Sequence, residues 1–474
     1  MHREPQAVHP VQTWRRRTLS ASLLPHATVL ALLVLVPVPA LAGEGNESEA
    51  PPPGATATED EAPLSFQDLS GYLQGRYRAR ATSDDDDQDA YLSILLNGGD
   101  PQRHKLTFSV MGSFSSDIDG RDSPSDFDSI EDTYSSRAHG RLLRAYLDVN
   151  RIGFLERVRG GRQDLVAIPE VSLFDGLLAE TLPTTGWKAK FRAFAGVPTH
   201  LYESSPSGDS LFGAGVEAEP TEELWAALHV ARIRDELLYS TEANELVALE
   251  ARQRLTEVLS VSGRMTAVEG NTRDLTARLS YADALNSWRG SLQYFALLRT
   301  QRTLVTGLDP YTAVMKEERP HQTVNLLLEK DIDSMWTLGG GLSMRELTDD
   351  DEESTFNHEW RRLFVTPSLR GWPDQATDLS VTGELWEAED QLYRTAGFAV
   401  GRDFSKDLRA ELGSEYALFK FNEALGEEHE QVRTGYLRTR YDLRKDLRVD
   451  LDLELERDDQ DTYRTLTLGL RWRF

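Results

Sequence analysis

The stretch TYRTLTLGLRWRF, Thr462 to Phe474, ends the chain with two interleaved sets of residues. Leu466, Leu468, Leu470, Trp472 and Phe474 alternate with Thr465, Thr467, Gly469, Arg471 and Arg473. Successive side chains of a β-strand point to opposite faces, so this segment is apolar on one side and basic or polar on the other. Such a strand belongs between a hydrocarbon phase and water.

The same period of two runs through most of the chain after Ser65. Leu106, Phe108, Val110, Gly112 and Phe114 oppose Lys105, Thr107, Ser109 and Ser113, and Trp336, Leu338, Gly340, Leu342 and Met344 oppose Thr337, Gly339, Gly341, Ser343 and Arg345. Leu447, Val449, Leu451, Leu453 and Leu455 stand against Arg448, Asp450, Asp452, Glu454 and Glu456. No soluble core requires a second face so uniformly charged. The pattern predicts an all-β protein whose strands meet lipid on one face and water on the other.

The terminal strand, ending on an aromatic residue, resembles the last strand of Gram-negative outer-membrane β-barrels. That resemblance implies an antiparallel up-and-down barrel, with Leu470, Trp472 and Phe474 as the signal read by the barrel-assembly machinery. A second resemblance is carried by Val158-Arg-Gly-Gly-Arg-Gln163, Phe174-Asp-Gly176 and the strand from Trp187 to Val197. It is similar to the Gly-Arg-Gln and Phe-Asp-Gly strands of porin-like barrels, including the alginate-export type, and implies a channel without naming a solute.

The amino terminus agrees with export. Arg15, Arg16 and Arg17 precede an apolar run from Ala27 to Val38 and then Ala40-Leu-Ala42, the layout of a cleaved signal peptide over residues 1–42. The run is shorter than the ~20 apolar residues of a spanning helix. Residues 43–65 are rich in Pro, Gly and Glu, the composition of a disordered tether, here periplasmic. The barrel is expected over 66–474. Mean hydropathy is −0.46, which does not argue against a membrane, because hydropathy averaged along a strand cancels its two faces.

The chain has no cysteine, which removes thiol nucleophiles, thiolate metal sites and a lipid-modified amino terminus. Loss of residues 1–42 removes four Arg and one Glu, taking the formal charge from −26 to −29. Nucleic acid is therefore not an expected partner. The expected partners are outer-membrane lipid and lipopolysaccharide, the assembly machinery and, if the lumen is occupied, a periplasmic protein.

Short turns are expected at 150–153, 182–186, 220–223, 256–257, 282–286, 331–333, 404–406 and 444–445. Longer or more acidic loops lie between them at 82–88, 116–138, 198–209, 301–320, 347–357 and 422–430. Counting hairpins gives about 22 strands, in a range of 18–26, with short turns periplasmic and long loops extracellular. Trp187, Trp225, Trp288 and Trp336 each follow a short turn, and Trp472 ends the last strand, which phases all five to one rim as an interface girdle.

Parity also marks a basic ladder for the lumen: Arg76, Arg78 and Arg80 near the start, and Lys188, Lys190 and Arg192 further on. These cations either attract anionic solutes or pair across the wall with carboxylates such as Asp450, Asp452, Glu454 and Glu456. Other chemistry finds little support. Asp117-Ile-Asp119-Gly120 places its glycine two positions early for an EF-hand. His104, His139, His200, His229, His321, His358 and His429 are scattered singly, and no Gly-x-Ser-x-Gly occurs. The sequence thus points to a passive or weakly selective porin-like channel, with no enzyme activity, cofactor or metal expected. Two alternatives stay open: a barrel sheath for an export or electron-transfer conduit, and a surface-adhesion barrel with a closed lumen.

Overall fold

In the computed structural model, residues 65–474 are described apart from 121–126, 128–129, 131–135, 165–172, 200–208, 238–239, 300–318, 349–356, 389–390, 423–426 and 459–460. The signal peptide and all but the last residue of the tether lie outside the described residues.

Alternation with β-branched, aromatic and leucine side chains on one face gives 22 strands. They are β1 Leu69–Ala81, β2 Asp86–Gly98, β3 Leu106–Asp117, β4 Ala138–Ile152, β5 Leu155–Asp164, β6 Leu173–Thr181, β7 Lys190–Pro198, β8 Ser210–Ala218, β9 Leu224–Leu237, β10 Ser240–Arg254 and β11 Leu259–Val268. There follow β12 Asn271–Asp283, β13 Trp288–Leu297, β14 His321–Asp331, β15 Trp336–Leu347, β16 Trp360–Arg370, β17 Thr377–Ala388, β18 Gln391–Asp403, β19 Leu408–Asn422, β20 Glu427–Arg444, β21 Leu447–Arg457 and β22 Thr462–Arg473.

Every strand pairs antiparallel with the next, and β22 returns to β1 with Tyr72 opposite Arg473 and Ala81 opposite Arg464. Gly71 and Phe474 exchange backbone hydrogen bonds at 2.9 and 3.2 Å, carrying the closure to the last residue. Closure leaves no unpaired edge, which a sheet in hydrocarbon requires, since an unsatisfied N–H or C=O there costs several kcal/mol. At strand spacings of ~4.8 Å and a tilt of ~40°, 22 strands enclose a barrel about 40 Å across.

Outside, Leu92, Ile94, Phe114, Leu342, Leu363, Val365, Leu453 and Leu455 are exposed, and the opposite parity on the same strands is polar. Large apolar residues exposed in this number form a belt for lipid rather than a failed core.

The eight short connections expected from sequence all lie at one rim, here called the turn rim, which also carries the carboxy terminus. Two more turns join them there, between β2 and β3 and between β16 and β17. The long connections after β3, β7, β13 and β15 lie at the opposite, loop rim. Two expected loops are shorter. Thr82 to Asp85 make a tight turn in which Thr82 N donates to Asp85 O and β2 begins at Asp86, because Asp87 and Asp89 continue the ladder opposite Arg80 and Arg78 of β1. Likewise β20 begins at Glu427, inside the expected 422–430 loop.

Candidate functional site

The inward faces carry the candidate site. On β1, Arg76, Arg78 and Arg80 share the face of Tyr91, Asp89 and Asp87 on β2. Arg78 reaches Asp89 at 2.5 Å, while Arg80 lies 2.7 Å from Asp87 and 3.6 Å from Asp89. Asp89 is fully buried. The partners are therefore the carboxylates of the next strand. Asp450, Asp452, Glu454 and Glu456 on β21 are separated from β1 by Gly469, Thr467, Thr465 and Tyr463 of β22. They face Arg440, Arg438 and Lys420 instead. Opposite charges on adjacent strands contribute more than distant ones, and the register decides who is adjacent. Arg76 stands apart: its guanidinium lies 4.4 Å from the Tyr91 ring centre.

The second half of the expected ladder is paired too. Lys190 meets Glu156 at 2.8 Å, and Arg192 meets Glu180 at 2.6 Å and Glu217 at 3.2 Å. A bulge between Leu155 and Arg157 turns Glu156 and Arg157 to the same side, so Glu180 receives Arg157 as well. With Gln102, Asn150 and Phe191 these residues line a luminal recess of about 490 Å³ near the turn rim. Lys188 is not on the strand. It sits in the turn before β7 with φ 49°, following Gly186 at φ 89°, and binds Glu219 at 2.7 Å.

Four further arginines were not singled out from sequence. Arg252 and Arg254 on β10, Arg264 on β11 and Arg278 on β12 all face inward. Arg252, Ser262 and Arg278 occupy one register row, with Arg264 opposite Glu250 one inward position away. None of the four forms an ion pair with a described residue, and Arg264 Nη2 is buried with no hydrogen-bond partner. Arg252 and Arg278 are exposed to the lumen. Since β1 and β12 are eleven strands apart in either direction around 22, this cluster faces the β1 arginines across the barrel. Any one of these strands shows only one or two arginines. The signal lay in the cross-strand register.

The loop-side lumen differs. Inward-facing Phe174, Leu178, Phe194, Leu211, Ala231, Ile233, Leu246 and Val268 form a buried apolar cluster on β6 to β11. Against β22 and β1, Phe127 is buried, its ring centre 6.2 Å from that of Tyr463 and 4.8 Å from the Arg80 guanidinium. Residue 127 of the expected 116–138 loop thus lies on the luminal side. Of the expected 301–320 loop, residues 301–318 lie outside the described residues. Just past β3, Asp119 accepts a hydrogen bond from Gln88 N at 3.1 Å, yet loss of hydration lifts its carboxyl to about 6.

The motif pieces Gly161-Arg-Gln163 and Phe174-Asp-Gly176 are direct partners: Gly161 faces Gly176, Arg162 faces Asp175 and Gln163 faces Phe174. Arg162 grips Asp175 through Nε at 2.8 Å and Nη2 at 2.7 Å, while Gln163 donates to Gly176 O at 3.2 Å. A Cβ on Gly176 would sit 2.2 Å from Ala195 O, and Gly161 has φ 127°. The motif is a staple between two strands, and its Arg162–Asp175 pair points outward.

Trp288 and Trp336 open β13 and β15 at the turn rim on the outward parity, and Lys330 caps the Trp288 ring at 4.7 Å. Trp187 lies in the turn beside Lys188, two-thirds exposed. Trp225 departs from a lipid girdle: it shares the inward parity of buried Ala227 and His229 and faces Arg252. On β22, Leu470 and Trp472 face outward, Trp472 Nε1 donates to Asp446 at 3.0 Å, and its ring centre is 5.2 Å from that of Phe474.

No protein-family model matches the chain, and no curated protein matches it in sequence. Among solved structures, OpdK of Pseudomonas aeruginosa is 12% identical with a TM-score of 0.41, over 86% of this chain and 100% of that one. A BenF-like porin of Pseudomonas fluorescens Pf-5 gives 10% and 0.43, over 86% and 98%. The translocation pore of the P pilus usher PapC gives 10% and 0.46, over 85% and 99%. At these values the assignment of a 22-stranded barrel rests on the strand ladder of the chain itself.

Proposed function

We propose that this chain is an outer-membrane channel of porin type, passing small solutes passively with a preference for anions. Closed antiparallel barrels with one rim of short turns and one of long loops are the spanning form of that membrane, which puts the turn rim in the periplasm and the loop rim outside. The water-facing interior supports a conduit, because 16 to 18 strands already leave an aqueous channel in porins.

The observation that carries the preference is the set Arg252, Arg254, Arg264 and Arg278, cations facing the lumen without an ion pair to any described carboxylate. Most other inward charges are neutralised within the wall, so they add little net field. An unpaired guanidinium in a partly dehydrated wall attracts carboxylate, sulfate or phosphate and repels cations.

The refolded mature chain in a planar bilayer tests this reading. Stepwise conductance is expected. A folded, heat-modifiable barrel that stays silent would overturn the channel and favour a lumen occupied by a partner.

A further inference from the structure

In their loop-side half, the outward faces of β18 to β22 carry four arginines: Arg394, Arg433, Arg457 and Arg464. Arg433 and Arg457 are directly opposite on adjacent strands. Arg464 lies across from Leu455, one outward position toward the turn rim from Arg457. Arg433 Nη1 donates to Ala396 O at 2.6 Å, and Arg394 is the next outward residue toward the loop rim on that strand. In a tilted barrel, positions of equal height shift by about one residue per strand. These offsets run in the direction of the shift at the turn rim, where β19 begins opposite Tyr441 and that row meets β22 at Leu470, three residues before its end. The four guanidinium groups therefore form a level row.

Their height is fixed by β21 and β22. On β22 the outward residues from Arg464 are Leu466, Leu468, Leu470 and Trp472. Eight residues at ~3.4 Å make about 27 Å along the strand, or about 20 Å of height at a tilt of ~40°. On β21, Leu447, Val449, Leu451, Leu453 and Leu455 precede Arg457. The row thus stands at the far edge of the apolar band, opposite the Trp472 edge, where lipid headgroups begin.

Three other outward arginines in the loop-side half are paired with carboxylates. Arg361 lies 3.3 Å from Glu346 and 3.8 Å from Glu387, Arg162 lies 2.7 Å from Asp175, and Arg232 lies 3.7 Å from Glu245. The four in the row have no ion pair with a described residue. Arg394, Arg457 and Arg464 are exposed, while Arg433 is held over the Tyr416 ring at 5.1 Å. Arginines without an ion pair among the described residues, on a chain of net charge −26, call for an external anion, and the guanidinium fork matches phosphate oxygens two at a time. Four strand spacings of ~4.8 Å give the row a width of about 19 Å, room for more than one phosphate.

We infer that this face binds phosphorylated lipid headgroups of the leaflet at the loop rim. The inference rests on the membrane placement proposed above. The test is native mass spectrometry of the purified mature barrel with diphosphoryl lipid A or its dephosphorylated form. It compares wild type, R394Q/R433Q/R457Q/R464Q and the control R232Q/R361Q. Wild type and control should retain diphosphoryl lipid A, the quadruple variant at least tenfold less, and wild type should hold the dephosphorylated lipid poorly. Equal retention by the quadruple variant would overturn the inference, as would equal retention of both lipids by wild type. So would loss of a self-assembled oligomer, rather than of lipid, in the quadruple variant. The two-lipid comparison on wild type stands even if the variant does not fold. Conductance measured on the same samples separates a failure of this site from a failure of the channel reading.

Discussion

The arginines of β1 and those of β10 to β12 face the same lumen from opposite walls and differ in their company. Arg78 and Arg80 are covered, with side-chain exposures of 27% and 14%, and are held by carboxylates that are 0% and 4% exposed. Arg252 and Arg278 are exposed, and with Arg264 they have no such partner among the described residues. A luminal cation therefore has two distinct uses. Paired on the neighbouring strand it is part of the wall; unpaired, in the proposed channel, it would set the potential that a passing solute meets.

The comparison breaks most visibly at Asp89. Replacing it with Ala strips a fully buried carboxylate from beside Arg78 and Arg80, and breaking one partner of a buried ion pair typically costs about 3–5 kcal/mol. Urea titration of the refolded barrel should show that loss, whereas Ser262→Ala, in the row between Arg252 and Arg278, should change stability by less than ~1 kcal/mol. Equal effects would mean that the β1 pairs do not hold the wall.

Next in size is selectivity. R252Q/R264Q/R278Q should shift the reversal potential toward cations with unchanged folding. D87N/D89N/R78Q/R80Q, which removes two positive and two negative charges together, should leave it nearly constant. A smaller shift in the same cationic direction is expected for Arg76→Gln, since Arg76 is screened on one side by Tyr91 and has no carboxylate partner among the described residues.

The smallest effect concerns the rim beside the β1 wall. The raised carboxyl of Asp119 favours the local fold when protonated, so its contribution is complete below about pH 4 and is lost as pH rises through about 6. Ile118 N–H, bonded to Gln88 O at 2.9 Å, should exchange faster at pH 7 than at pH 5 after correction for the intrinsic rate. Asp119→Asn should flatten that difference.

The fold was legible because its signals are local. Alternation along β21 and β22, and turn residues such as Asp331 to Asp333 or Arg444-Lys445, need no knowledge of which strand lies beside which. The strand count followed from them. The luminal site was legible only in part, because its character depends on register. Parity placed Arg76, Arg78 and Arg80 on one face, yet only pairing with β2 reveals Asp87 and Asp89 as their partners. The β10 to β12 arginines are scattered at 252, 264 and 278 in sequence and meet only in the ladder. Lys188 extends an apparent ladder in sequence, but two left-handed residues at 186 and 188 keep it in the turn. Trp225 followed a short turn as an interface residue would, while its parity, fixed by pairing with Arg252, turns it inward.

In the proposed channel the unpaired arginines, and not the paired ladder, set the ion preference. This is tested most directly by the reversal potential of single channels under a salt gradient, comparing wild type, R252Q/R264Q/R278Q and R78Q/R80Q/D87N/D89N. Anion preference that collapses in the first variant and persists in the second is the predicted result; the reverse pattern, or a cation-selective wild type, would contradict the account.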